Sequence, residues 1–132
     1  MLKILVVDDN VDAAETTGML LELMGHDIAR AHDGAEAIAT ATSWRPALVL
    51  LDINLPVLSG LEVARRLRAN EATRETYIVA LSGYTSPEDQ RASLAAGCDE
   101  HIGKPFDMNA IEMTLAKAER AAVSRLTPVS GT

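Results

Sequence analysis

Short apolar runs punctuate the chain at Leu2 to Val7, Ala47 to Leu51, Tyr77 to Leu81 and, less cleanly, Asp99 to Ile102. Apolarity on nearly every residue marks strands covered on both faces, which means a parallel sheet. Asp27 to Ala31 mixes charge with apolar residues and predicts a fifth strand, at an edge. The stretches between carry a helical period instead. Ala13, Thr16, Thr17, Leu20, Leu21 and Met24 follow i, i+3, i+4, i+7, i+8, i+11, and Gly25 stands where a C-terminal cap is wanted. Asp33 with Glu36, and Ser59 with Glu62, have capping-box spacing, in which two side chains satisfy free helix N–H groups reciprocally. Ser86 before Pro87, with Glu88 and Asp89 next, predicts a fourth helix start. Asp107 can cap a last helix, along which Ile111, Leu115, Ala118 and Ala122 form one stripe.

Strand then helix, repeated with short connections, is the pattern of an open parallel α/β sheet with right-handed crossovers. Such sheets bind ligands beyond the carboxyl ends of their strands, where strand order reverses, so chemistry is expected at the strand ends. After Ala122 the period fades, and residues 123–132 are expected to form a loose tail behind a domain of residues 1–122. The length, 132 residues, predicts that one domain and no second module.

Apolar residues make up 48%, yet the aromatics are one Trp, two Tyr and one Phe, so the core must be aliphatic. Lys and Arg number 12 against 19 Asp and Glu, a net charge of −7 that disfavours direct binding to nucleic acid or to an anionic membrane. The first apolar run stops at Asp8-Asp9, far short of a signal sequence or a membrane span. The single cysteine, Cys98, reads as a small core residue that cannot form an internal disulfide, and a reducing cytoplasm is the expected location. His26 and His32 read as surface residues, and Arg65, Arg66 and Arg68 as a solvated helix face.

Asp8 and Asp9 follow the first run, Asp52 the third, Ser82 the fourth and Lys104 the fifth. Singly, each is explained by a helix cap or a solvated turn. Converging on one sheet edge, they are not. Three carboxylates within ~4 Å would repel by ~4 kcal/mol per pair at an effective dielectric of about 20. Of Lys3, Lys104 and Lys117, the only lysines, Lys104 alone stands at a strand end, and one ammonium cannot balance three acids. A divalent cation is the natural remainder, and an all-oxygen site without nearby His or Cys suits Mg²⁺ (or Mn²⁺). Mg²⁺ with a lysine and a hydroxyl is apparatus for a phosphoryl group, and an aspartate can itself be the nucleophile, a role that could fall to Asp52.

Asp8-Asp9, the run Asp52-Ile53-Asn54-Leu55-Pro56-Val57-Leu58-Ser59-Gly60, Leu81-Ser82-Gly83 and Lys104-Pro105-Phe106 together resemble the receiver domain of two-component response regulators. The chain is most similar to short receivers of the chemotaxis type and to those attached to hybrid histidine kinases. The resemblance implies a flavodoxin-like, doubly wound five-stranded parallel sheet of order 2-1-3-4-5 with five helices. It implies Asp52 as phosphoacceptor; Asp8, Asp9, Asp52 and the backbone carbonyl of Asn54 as Mg²⁺ ligands; and Ser82 and Lys104 as partners of the phosphoryl oxygens. It further implies a cis Lys104–Pro105 peptide, and a loop shaped by Pro56 and Gly60. The donor would be a histidine kinase or histidine phosphotransfer protein, and the output a downstream protein read through the fourth helix, fifth strand and fifth helix. Such a chain is a phosphoacceptor with self-catalysed transfer and hydrolysis, not an enzyme acting on separate substrates.

One position departs from the family. His101 stands where many receivers carry a Tyr or Phe that rotates inward as the hydroxyl residue moves. Coupling through His101 would be weaker, pH-sensitive or differently routed; its plainer reading is an exposed strand-end residue. Tyr84 either shields an acyl phosphate at the mouth of the site or lies on a loop surface. Other readings of the whole chain are a phosphorylation-independent interaction domain, a flavodoxin-like electron carrier and an aspartate-dependent phosphatase. The complete acid, hydroxyl and lysine set argues against the first. The electron carrier would want a hydroxyl- and Gly-rich loop where Asp8-Asp9-Asn10-Val11-Asp12 stands, and the phosphatase a nucleophile in a spaced acid pair at the first strand.

Overall fold

The computed structural model describes residues 1–126, with side chains described through Ser124. Strands β1 (Lys3–Val7), β2 (Asp27–Ala31), β3 (Leu48–Asp52), β4 (Tyr77–Ser82) and β5 (Glu100–Gly103) alternate with helices α1 (Val11–Leu23), α2 (Gly34–Trp44), α3 (Gly60–Ala69), α4 (Pro87–Ala96) and α5 (Met108–Leu126). All pairings are parallel, in the order β2-β1-β3-β4-β5. This is the parallel sheet expected from the apolar runs, in the doubly wound order that the family resemblance implies. The order reverses between β1 and β3, so a crevice opens beyond their carboxyl ends.

Alternation along each central strand sorts its side chains between two cores. Leu5, Val7, Val49, Leu51, Ile78 and Ala80 pack beneath α2, α3 and Ala96 of α4. Ile4, Val6, Leu48, Leu50, Val79 and Leu81 pack against α1 and α5. Both faces being covered explains why the strands read as unbroken apolar runs. The edge strands β2 and β5 are only partly buried, which is why their sequences are mixed. Cys98 lies in the first core, and burial pushes its thiol up to about 11.

Several local expectations need adjustment. β3 and β4 each run one residue further than their apolar runs, so Asp52 and Ser82 are last residues of strands rather than residues after them. The ladder continues through them, Asp52 opposite Leu81 and Ser82 opposite Gly103. α1 starts at Val11 because the Asn10 side chain accepts the Ala13 N–H, and Gly25, at φ 93°, follows its end. The pairs Asp33/Glu36 and Ser59/Glu62 cap in one direction only. Glu36 reaches the His32 N–H instead, and Glu62 pairs with Arg65 and Arg66. The reciprocal box forms at Ser86 and Asp89. Asp107 accepts the Ala110 N–H as expected.

α5 continues to Leu126, so helix covers the first residues of the segment expected to be a loose tail. Loss of period there reflects loss of a face to bury: Val123 and Ser124 are exposed. The rest of that segment, residues 127–132, lies outside the described residues.

Candidate phosphoryl and cation site

Asp8, Asp9 and Asp52 come together at the carboxyl edge, each offering a carboxylate oxygen within 4.8 Å of the others. Asp52 is buried, Asp8 half-buried and Asp9 exposed, so the cluster grades from sheet to solvent. Each is fixed by its own local backbone. The Asn54 N–H donates to Asp52 Oδ1 at 2.9 Å, and the Asn10 N–H donates to Asp8 Oδ1 at 2.9 Å. Lys104, carried by the turn after β5, places Nζ 3.4 Å from Asp52 Oδ2 and 3.5 Å from Asp8 Oδ2. One ammonium thus bridges two of the three acids, and Asp9 is left outside that bridge.

Burial raises the Asp52 carboxyl above its ordinary range, and the charge of Asp8 pushes the same way. The Asn54 N–H and Lys104 pull against this without cancelling it. A carboxyl still held up by burial and a like charge is not fully compensated by the one ammonium beside it. The donor set is all oxygen and clustered on one side of a crevice, which fits a hard divalent cation keeping several waters.

Ser82, 2% exposed, ends β4 with its Oγ accepting the Tyr84 N–H at 2.9 Å. Its backbone carbonyl accepts the Lys104 N–H at 2.8 Å, tying the hydroxyl strand end to the lysine turn. The Lys104–Pro105 peptide is cis. Gly60 shapes the β3–α3 loop by close approach: a Cβ there would lie 2.5 Å from the Asp52 carbonyl oxygen and 2.6 Å from Ile53 Cα. Within that loop, the Leu58 N–H donates to the Pro56 carbonyl at 2.7 Å across Val57, a fully exposed residue at φ 66°. Asn54 is exposed at the mouth.

His101 is not a free strand-end residue. It is half-buried, with Nδ1 2.7 Å from Ser93 Oγ and Nε2 2.9 Å from the Tyr84 carbonyl. Tyr84 is 65% exposed, and what joins this residue to the site is its backbone. Sequence reasoning passed over three other residues. His32, half-buried rather than on the surface, donates from Nδ1 to the Asp8 carbonyl at 3.1 Å. His26, also half-buried, accepts the Leu2 N–H on Nδ1. Arg68, unlike the exposed Arg65 and Arg66, bonds the Gly97, Arg74 and Thr76 carbonyls and the Asp99 carboxylate. No local pattern marks any of these, because none of the partners falls at a capping or helix-face spacing.

The model of the response regulator receiver domain matches residues 4–116. The transcriptional regulatory protein PrrA of Mycobacterium tuberculosis is 42% identical over 104 residues, which are 79% of this chain and 44% of that protein. The chain thus spans about half the length of such curated relatives. Among solved structures, the chemotaxis protein CheY4 of Vibrio cholerae superposes with a TM-score of 0.84 at 31% identity, covering 89% of this chain and 98% of that one. The receiver domain of the sensor histidine kinase PA1611 of Pseudomonas aeruginosa, solved with a magnesium ion coordinated in its active site cleft, superposes at 0.81 with 30% identity, covering 88% and 95%. The acid cluster, the sheet order and these likenesses converge: the chain belongs to the response regulator receiver family of two-component systems.

Proposed function

We propose that this receiver accepts a phosphoryl group on Asp52, in a Mg²⁺-dependent reaction, from a phosphohistidine of a histidine kinase or histidine phosphotransfer protein. The observation that carries the reading is the placement of the Asp52 carboxylate, buried at the end of β3 between the Asn54 N–H and Lys104 Nζ, with Asp8 and Asp9 in the same cluster. In the transfer, a bond forms between an Asp52 carboxylate oxygen and phosphorus while the phosphorus–nitrogen bond to the donor imidazole breaks, its electron pair leaving on nitrogen. Asp8, Asp9, Asp52 and the Asn54 carbonyl would hold Mg²⁺, which supplies positive charge to the phosphoryl oxygens. Lys104 releases its bridge to the acids and pairs with a phosphoryl oxygen, and the Ser82 hydroxyl donates to another.

Phosphorylation adds charge and strong acceptor oxygens where Ser82 and Lys104 meet, and so biases the adjoining α4, β5 and α5 toward a downstream protein. Signalling then proceeds by protein contacts, without nucleic acid or membrane. No helix among the described residues is long and apolar enough to cross a membrane, and the reading places the reaction in the cytoplasm.

Incubation with acetyl phosphate and Mg²⁺, followed by intact mass and peptide mapping, tests the assignment. One phosphoryl group on the peptide holding Asp52, absent from Asp52→Asn and suppressed by chelator, is the expected result. No gain on the wild type would reject it in favour of a phosphorylation-independent scaffold, and an undiminished gain in Asp52→Asn would reject it in favour of another acceptor.

A further inference from the structure

The pairing of β1 with β2 continues one residue past the end of β1, where the Asp8 N–H donates to the Ala31 carbonyl at 3.0 Å. Beyond Ala31 the chain turns through His32 to cap α2 at Asp33, and the donor to the Asp8 carbonyl is a side chain, His32 Nδ1 at 3.1 Å. A carbonyl only accepts, so this nitrogen carries a hydrogen. The His32 backbone is pinned in turn, its N–H donating to Glu36 Oε1 in the first turn of α2 at 2.6 Å. The Asp8 carbonyl belongs to the peptide that carries Asp9. That peptide is planar, so holding its oxygen fixes the direction in which Asp9 leaves β1. Lys104 bridges the other two acids, and among the described residues no hydrogen bond or ion pair holds the Asp9 carboxylate. Its place in the cluster therefore rests on its backbone. The next peptide is held by Asp8 Oδ1, which accepts the Asn10 N–H and belongs to a carboxylate that a cation would use. His32 is the hold that draws on no carboxylate.

We propose that His32 is a positioning residue for divalent cation binding: by holding the Asp8 carbonyl it orients the Asp8–Asp9 peptide and keeps the Asp9 carboxylate turned into the acid cluster. This deepens, and rests on, the reading of Asp8, Asp9 and Asp52 as Mg²⁺ ligands. His32 acts through Asp9 and is not one of those ligands. Without its hold the exposed Asp9 would sample orientations that face away from Asp8 and Asp52, and affinity would fall by the fraction of time the cluster is complete. Through Glu36, that fraction also depends on the first turn of α2, a helix that supplies no carboxylate to the cluster.

Thermal denaturation of the full chain over a series of Mg²⁺ concentrations at constant pH separates positioning from a merely structural role. The Tm in chelator reports folding alone, and its rise with Mg²⁺ gives the Kd for the metal. His32→Phe keeps a ring but loses the donor, and should weaken Mg²⁺ binding about fivefold, the equivalent of one net hydrogen bond. His32→Asn, whose side-chain nitrogen lies the same number of bonds from Cα as Nδ1, should recover the wild-type Kd. A double-mutant cycle tests the route through Asp9, since a residue that acts only through Asp9 loses its effect once that carboxylate is gone. Asp9→Asn should weaken binding by itself, and adding His32→Phe to it should weaken binding no further. Glu36→Ala frees the His32 backbone and should weaken binding with the same dependence on Asp9, whether or not His32→Phe folds. No weakening by either cut, no recovery in His32→Asn, or equal weakening with and without the Asp9 carboxylate overturns the proposal. A wild-type protein whose Tm does not respond to Mg²⁺ overturns instead the reading of the acid cluster on which it rests.

Discussion

His26 shows how a residue that looks superficial in sequence acquires a role from one distant hydrogen bond. Its Nδ1 accepts the Leu2 N–H at 3.0 Å, at the point where the chain enters β1. Burial lowers its affinity for a proton below the ordinary 6.5, and the N-terminal ammonium pushes the same way against the opposing pull of Glu119. The unfolded chain therefore binds that proton more readily than the folded one. The contribution of His26 is fully present above pH 6.5 and is lost as pH falls through the lowered folded value. Urea midpoints for wild type and His26→Gln, measured from pH 7.5 downward, should converge as the solution is acidified. A gap that stays constant with pH would show that His26 acts by packing alone.

At the level of elements, two glycines that sit alike at helices differ in what surrounds them. Gly60 opens α3, and a Cβ there would meet the backbone of Asp52 and Ile53, which cannot yield without moving the end of β3. Gly18 lies within α1, where a Cβ would meet only the far end of the Arg30 side chain. Gly60→Ala should therefore lower stability by roughly 2–3 kcal/mol and impair phosphoryl acceptance at Asp52. For Gly18→Ala, the gain of about 1 kcal/mol from replacing a helical glycine is offset by displacing Arg30 from Glu15 and Glu22, leaving little net change. Thermal denaturation of both variants checks the contrast, and equal losses would contradict it. Arg68 makes the same point for side chains. Its guanidinium joins the end of α3 to the turns that precede β4 and β5, a use of planar, multiple donors that lysine could not copy.

For the whole molecule, the acid cluster sets function against stability. Burial raises the Asp52 carboxyl, so the folded state holds its proton more tightly than the unfolded chain, and stability falls as pH rises from the ordinary value of 3.8 through the raised one. At neutral pH the charge of Asp52 therefore opposes folding. Asp52→Asn in chelator should raise Tm by several degrees over wild type. Added Mg²⁺, binding only the folded chain, should raise the wild-type Tm and do so less for Asp52→Asn. Scanning calorimetry measures both, and a lower Tm for Asp52→Asn in chelator would reject the conflict. Much of this architecture was legible beforehand. Unbroken apolar runs predict a sheet covered on both faces, helical periods and caps predict what covers it, and the crevice rule points to Asp8, Asp9, Asp52, Ser82 and Lys104. These are local signals, carried by neighbours along the chain. Glu36 and Glu62 leave their boxes for other near neighbours, His32, Arg65 and Arg66, a choice among local partners that spacing alone does not settle. Which acids Lys104 bridges, and that Arg68 is a clamp, depend on partners that the fold brings together. So does the joining of Ser93, His101 and Tyr84 into one hydrogen-bonded chain. Periodicity and capping determine the elements and the edge where chemistry collects, while only packing in three dimensions decides which side chains meet, because hydrogen bonds and ion pairs are set by distance in space rather than along the sequence.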